Sequence, residues 1–176
     1  MGFACDRQWS CKAKVAALIG AQEDEIVFTS CGSESNNLAL KGLAFAAQGS
    51  RNHFVISAVE HPAVTNTARF LSERGFSVTI VRVDGYGRVD PEVVREAVTR
   101  RTLVVSVLHG QNEIGTVQPL SAIGAAAHEK GALLHTDAAQ SVGKIAVDVR
   151  TLDVDLLTIA GNKFYAPKGA GALYIR

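Results

Sequence analysis

Apolar positions along this chain follow two rhythms that alternate with little interruption. Helical spacing marks Ser10 to Ala21, where Val15, Leu18 and Ile19 fall on one face ahead of Gly20. It returns from Ser33 through Leu38, Leu40, Leu43 and Phe45, from Pro62 to Glu73, from Asp90 to Thr99 and from Leu120 to Lys130. Pro62 and Pro91 suit the first turn of a helix, where the missing N–H has no partner to lose, and Gly131 suits a stop. Between these stretches lie short apolar runs: Glu25–Thr29, His53–Ser57, Ser77–Val83, Leu103–Leu108, Ala132–Thr136, Leu156–Ile159 and Ala172–Ile175. Runs this short, bounded by Gly, Asp, Asn and Ser, read as strands. Leu103–Leu108 is apolar throughout, which predicts cover on both faces. Repeated strand and helix units predict an α/β fold of three layers, a mostly parallel sheet with helices on both faces. No repeat or linker marks a boundary, so one domain is expected over residues 1–176.

Composition narrows the class without naming a function. With 176 residues, 47% hydrophobic and 20% charged, the chain can bury a core, and disordered and fibrous classes are excluded. A net charge of +1 predicts no strong attraction to nucleic acid or to an anionic membrane. No apolar run reaches a bilayer span, and the opening MGFACDRQWSCKAK lacks the charged start and long apolar middle of a secretory signal. A cytoplasmic protein is the expectation, with a mitochondrial one left open. Cys5, Cys11 and Cys31 are odd in number and form no C-x-x-C pair, so neither a disulfide framework nor a metal site is expected. Cys31, just after a strand, reads either as a reactive thiol or as a small buried filler.

Chemistry enters at the strand ends. Ligands of open parallel sheets bind beyond the carboxyl ends of the strands, where loops converge and helix amino-termini point inward. Here those ends carry Ser30-Cys31-Gly32-Ser33, Glu60-His61, Asn112, Asp137 with Gln140, and Asn162-Lys163, while Asp84-Gly85 reads as an ordinary turn. Taken singly, Ser33 reads as a helix N-cap, His61 as a surface or half-buried imidazole, Asn112 as a turn residue and Asp137 as a cap. Lys163, delivered by one apolar run and followed by another, is either a snorkelling surface lysine or a chemical one. Jointly they match the needs of pyridoxal phosphate. Its aldehyde takes a lysine, its pyridine nitrogen a carboxylate and its phosphate a helix amino-terminus, roles open to Lys163, Asp137 and Gly32-Ser33. His61 can stack on the ring or move protons, and Asn112 and Gln140 can hydrogen-bond its oxygen.

Five segments in this order and spacing resemble the cysteine desulfurase family of the class V aminotransferase group, which includes the selenocysteine lyases. They are Phe28-Thr29-Ser30-Cys31-Gly32-Ser33-Glu34-Ser35-Asn36-Asn37-Leu38, Glu60-His61, Asn112-Glu113-Ile114-Gly115, His135-Thr136-Asp137-Ala138-Ala139-Gln140-Ser141-Val142-Gly143-Lys144 and Gly161-Asn162-Lys163-Phe164-Tyr165-Ala166-Pro167-Lys168-Gly169. The resemblance implies a homodimeric enzyme that takes L-cysteine to L-alanine and parks the sulfur as a persulfide for an acceptor protein, in iron–sulfur cluster or thiolated-cofactor synthesis. Position by position it implies Lys163 as the Schiff-base lysine, Asp137 as partner of the pyridine nitrogen and Gln140 as donor to the ring hydroxyl. It implies His61 stacked on the ring, Asn112 near cofactor and substrate, and Gly32-Ser33 as the phosphate turn.

The chain departs from the family pattern in two ways. Where the family has Ser-Gly-His-Lys this chain has Ala160-Gly161-Asn162-Lys163, so one phosphate donor is lost and the other becomes a neutral amide; Ala166 also replaces a usual glycine. Weaker cofactor retention is the expectation. The family's chain is more than twice as long, so this one is expected to be the cofactor-binding large domain without the small domain, the loop with the nucleophilic cysteine or the arginine that holds the substrate carboxylate. Such a piece is expected to leave Ala172–Ile175 open to water and to self-associate. Besides impaired cysteine desulfuration, two readings stay open: a selenocysteine lyase, toward which the wording of the last stretch leans, and a non-catalytic α/β scaffold.

Overall fold

A computed structural model describes residues 3–47, 49 and 51–176; of residues 3–10 only the helical backbone is described, so the side chain of Cys5 lies outside the described residues. The elements are α1 (Phe3–Ile19), β1 (Ile26–Thr29), α2 (Gly32–Ala46), β2 (His53–Ser57), α3 (Pro62–Ser72) and β3 (Ser77–Val81). They continue with α4 (Pro91–Ala97), β4 (Thr102–Ser106), α5 (Leu120–His128), β5 (Leu133–Asp137), β6 (Leu156–Ala160) and β7 (Gly171–Ile175). Each apolar run named above is a strand, and each helical stretch a helix. The boundaries move for local reasons. Helix α1 starts at Phe3 rather than Ser10, and α4 ends before Val98, whose backbone is extended. The Thr99 N–H then turns to the Thr102 hydroxyl at 2.8 Å.

The seven strands lie in the order β1-β7-β6-β5-β4-β2-β3. Strands β2 through β6 pair in parallel with their neighbours, as does β3 with β2, whereas β7 runs antiparallel to both β6 and β1. The expectation that Ala172–Ile175 stands open is overturned: β7 is an inner strand, and Ala172, Leu173 and Tyr174 are buried. The reason is connection length. An antiparallel neighbour needs only a tight turn, so β7 can follow β6 directly into the gap beside β1. The open edges are β1 and β3.

Alternate strand residues serve two cores. Val55, Val105, Leu134 and Leu157 face α1, α4 and α5, whose Ile19, Val94, Leu120 and Ile123 join the same cluster. Phe54, Ile56 and Val104 face α2 and α3, meeting Leu40, Val64 and Leu71. Three layers follow, as the alternation of elements predicts. The chain passes from β2 outward to β3, then jumps back across β2 to β4 and on to β6. Loops therefore diverge between the carboxyl ends of β2 and β4, which opens a crevice there. Among the described residues no helix is long and apolar enough to cross a membrane.

Candidate active site

The crevice is a cleft of about 430 Å³. It is lined from five strand ends: Cys31-Gly32-Ser33 after β1, Glu60 and His61 after β2, Gly110 to Glu113 after β4, Asp137 and Gln140 at β5, and Ala160, Asn162 and Lys163 at β6. All eight residues assigned a role from sequence, Gly32, Ser33, His61, Asn112, Asp137, Gln140, Asn162 and Lys163, line it together. Asp84 does not. Its carboxylate closes a turn by accepting the N–H groups of Tyr86 and Arg88, each at 2.8 Å.

At the amino-terminus of α2 the N-cap is Cys31, which makes no side-chain cap bond, so Ser33 lies inside the first turn rather than capping it. Glu34 reaches back instead to accept the Ser30 N–H at 2.5 Å, and the Ser30 contacts hold its carboxyl below the usual value. The first N–H groups of a helix have no partner within it, so this turn presents donors to the cleft. A Cβ on Gly32 would come within 3.0 Å of the Ala160 methyl, so the helix start closes directly on the end of β6.

Asp137 ends β5, 7% exposed. Its Oδ2 accepts from Asn36 Nδ2 at 2.7 Å and its Oδ1 from the Ala139 N–H at 3.0 Å. Beneath it on the same strand face, His135 bonds Ser106 Oγ at 2.8 Å and Thr158 Oγ1 at 3.1 Å, and burial pushes the imidazole down to about 3. That ring is a neutral spacer under the acid. His61 is the N-cap of α3, exposed, its Nδ1 accepting the Ala63 N–H at 3.0 Å, which puts the ring proton on Nε2. Gln140 is half-buried and accepts from Lys144 Nζ at 2.9 Å through Oε1, leaving Nε2 to donate.

Lys163 closes a single 3-10 turn, Gly161–Lys163, directly after β6. It is exposed, and among the described residues its amine has no hydrogen bond or ion pair. Asn112 and Asn162 are exposed as well. The turn depends on Gly161, where a Cβ would meet the Ala170 carbonyl oxygen at 2.8 Å and the Ala166 methyl at 2.9 Å. The positive φ values in this loop fall on Tyr165, at 70°, and Gly169, at 83°, and not on Ala166, so the replaced glycine causes no backbone strain at its own position.

Two residues that sequence reasoning left without a role belong to the site. Asn36, buried in the second turn of α2, pins Asp137 and keeps its Oδ1 without a partner. Glu60, 9% exposed, accepts the Ser57 hydroxyl and the Leu108 N–H, the latter at 2.8 Å, on Oε1; among the described residues its Oε2 has no partner. Burial pushes the Glu60 carboxyl up to about 8, with Asp137 adding to the rise and the Ser57 and Leu108 bonds partly offsetting it. The spacing Ser57-x-x-Glu60 at a strand end was the available sign in the sequence.

The doubly wound sheet gathers an amine, a hydrogen-bonded carboxylate, an imidazole and a helix amino-terminus at its strand ends, where α/β domains of this kind bind their ligands. The chain belongs to the aminotransferase class-V family, whose model it matches over residues 4–176. It is 48% identical over 165 residues to the cysteine desulfurase IscS of Dictyoglomus turgidum, an alignment covering 94% of this chain and 42% of that protein. It is 46% identical over 165 residues to the cysteine desulfurase IscS of Methanosarcina thermophila, again over 94% of this chain and 41% of the relative. The chain thus spans about two fifths of the length of these curated relatives. Among solved structures, SspA in complex with cysteine superposes with a TM-score of 0.94 at 43% identity, over 98% of this chain and 50% of that one. DndA from Streptomyces lividans superposes with a TM-score of 0.91 at 38% identity, over 99% and 49%.

Proposed function

We propose that these residues form the cofactor-binding large-domain portion of a homodimeric, pyridoxal-phosphate-dependent cysteine desulfurase, which takes L-cysteine to L-alanine and passes the sulfur as a persulfide to an acceptor protein. The observation that carries the reading is the unpaired Lys163 amine in one cleft with the Asp137 carboxylate and the start of α2. Relatives named cysteine desulfurase and a superposable protein solved with cysteine support the substrate.

The residues present fit the cofactor. Asp137 has lone pairs left after its two hydrogen bonds, and the buried Asn36 Oδ1 lacks a donor. When bound, pyridoxal phosphate supplies the electron sink for bond cleavage at the substrate's α and β carbons. Lys163 Nζ is the amine that would hold the cofactor's aldehyde, and as a free amine it would serve as a general base. Asp137 would keep a proton on the pyridine nitrogen, and Asn36 keeps that carboxylate in place. The first turn of α2 with Ser33 and Asn162 would hold the phosphate, His61 would face the ring, and Gln140 Nε2 and Asn112 would be the donors for the ring oxygen.

Adding the cofactor and recording the visible band of its covalent attachment tests the reading. The band is expected in the parent and absent in Lys163→Ala of unchanged circular dichroism. A parent without the band at any cofactor concentration supports a non-catalytic scaffold instead. The 176 residues by themselves are expected to attach the cofactor without producing alanine from cysteine at a useful rate, since they span about two fifths of the relatives.

A further inference from the structure

Two carboxyl groups share the base of the cleft, and their surroundings differ. Asp137 meets a donor on each oxygen, Asn36 Nδ2 at 2.7 Å and the Ala139 N–H at 3.0 Å. Glu60 meets donors on Oε1 alone, and its buried Oε2 has no partner among the described residues. A buried carboxylate with a bare oxygen is costly, whereas the same oxygen carrying a proton is much less so. Two carboxyls in one low-dielectric site do not both ionise, and the better-solvated one takes the charge. Glu60 is also a tie. Ser57 ends β2 and Leu108 lies just past β4, so the Glu60 carboxyl fastens the loop presenting His61 to the loop leading to Asn112. It does so where neighbouring strands send their loops in opposite directions.

We propose that Glu60 is a positioning residue: an uncharged carboxyl that clamps the His61 loop to the Asn112 loop and leaves Asp137 the sole anion at the base of the cleft, where a pyridinium nitrogen needs one. The purpose assigned to Asp137 rests on the cofactor reading above; the clamp and its protonation do not. The other titratable groups lining the cleft are Cys31, His61, Glu113, Asp137 and Lys163, and Asp137 is the one whose charge raises Glu60.

The sign of the pH effect follows. Between its ordinary value of 4.5 and about 8, the unfolded chain ionises Glu60 while the folded chain keeps the proton. Stability therefore falls as pH rises through that window and levels off above it. Glu60→Gln keeps the shape and the clamp but does not titrate. Urea unfolding of the cofactor-free chain is expected to show the decline in the parent and its loss in Glu60→Gln, which becomes the more stable of the two at the alkaline end. The infrared carbonyl band of a protonated carboxyl should be present in the parent at neutral pH, fade through about pH 8, and be missing in Glu60→Gln. With pyridoxal phosphate added, Glu60→Gln is expected to bind within about threefold of the parent, and Glu60→Ala about tenfold more weakly, with the Lys163 band still reached at saturation. A Glu60→Gln protein less stable than the parent across the whole window, or one with the infrared band intact, overturns the proposal. A parent that shows the pH decline but no cofactor band refutes the cofactor reading and leaves the clamp standing.

Discussion

Ala160 bears on how tightly pyridoxal phosphate would be held in the cleft. Ala160 ends β6 and its methyl lies against the start of α2. A hydroxyl at this position would add a donor beside the phosphate cradle, and a neutral hydrogen bond contributes roughly 0.5–1.5 kcal/mol net. Ala160→Ser is therefore expected to tighten pyridoxal phosphate binding by about 2- to 10-fold, read by titrating the attachment band. An unchanged affinity would place the phosphate away from the first turn of α2. At this scale the sequence discloses residues that carry their own chemistry at a strand end. Lys163, Asp137 and His61 are visible because each follows an apolar run. Glu60 is visible at the same strand end as His61, but its role is not, nor is that of Asn36, because a partner elsewhere in the chain defines it: Asn36 meets Asp137 across 101 positions, and Glu60 meets Leu108 across 48. Periodicity carries no information about such pairs.

Among the elements, the turn between β6 and β7 decides where the amine stands. Gly161 is hemmed by the Ala170 carbonyl and the Ala166 methyl, so Gly161→Ala must displace the Lys163 turn. Cofactor attachment is expected to fall by at least tenfold, while the melting temperature drops only by the few degrees that about 1 kcal/mol of local strain costs in a domain of this size. Attachment that survives unchanged would show that the turn can move without moving the amine. Strand and helix identities were legible throughout, since apolar spacing is imposed by burial on one or both faces. The place of β7 was not. Its run looks like any other buried strand, and whether it ends the sheet or is inserted within it depends on β1, more than a hundred residues earlier. The end of α4 was missed for a local reason, because Val98 leaves the helix to let Thr99 meet Thr102.

For the molecule as a whole, the raised Glu60 carboxyl opposes buried imidazoles that are held down, His135 together with His53 and His109. Burial holds His135 down to about 3 from 6.5, so the stability it contributes is complete above 6.5 and is lost as pH falls toward 3. Glu60 is raised, so its contribution falls as pH climbs from 4.5 to about 8. Each changes stability by about 1.4 kcal/mol per pH unit inside its window. The slopes of His135 and Glu60 oppose each other between 4.5 and 6.5, where His53 and His109 add to the rise, and above 6.5 Glu60 leaves a decline toward pH 8. Urea unfolding across pH checks this shape, and a maximum near pH 8 would contradict it. Association is a second property at this scale. Leu38 and Phe45 on α2 are 44% and 65% exposed, and Val27 and Phe28 on the β1 edge are 37% and 39% exposed. Apolar surface of this kind invites a partner. Sedimentation is expected to show concentration-dependent association, and a clean monomer at high concentration would count against it.

The insertion of β7 between β6 and β1 also sets an order of events during synthesis. Strand β1 emerges from the ribosome early, yet its sheet neighbour is β7, and the Ser35 hydroxyl on the first turns of α2 waits for the Ala172 carbonyl 137 positions later, 3.0 Å away in the finished fold. A nascent chain therefore holds the start of α2 through its local bonds to Thr29 and Ser30 until β7 is delivered. The Lys163 amine, the Asp137 carboxylate and the start of α2 are held in their finished places only once residues near Ile175 have left the exit tunnel.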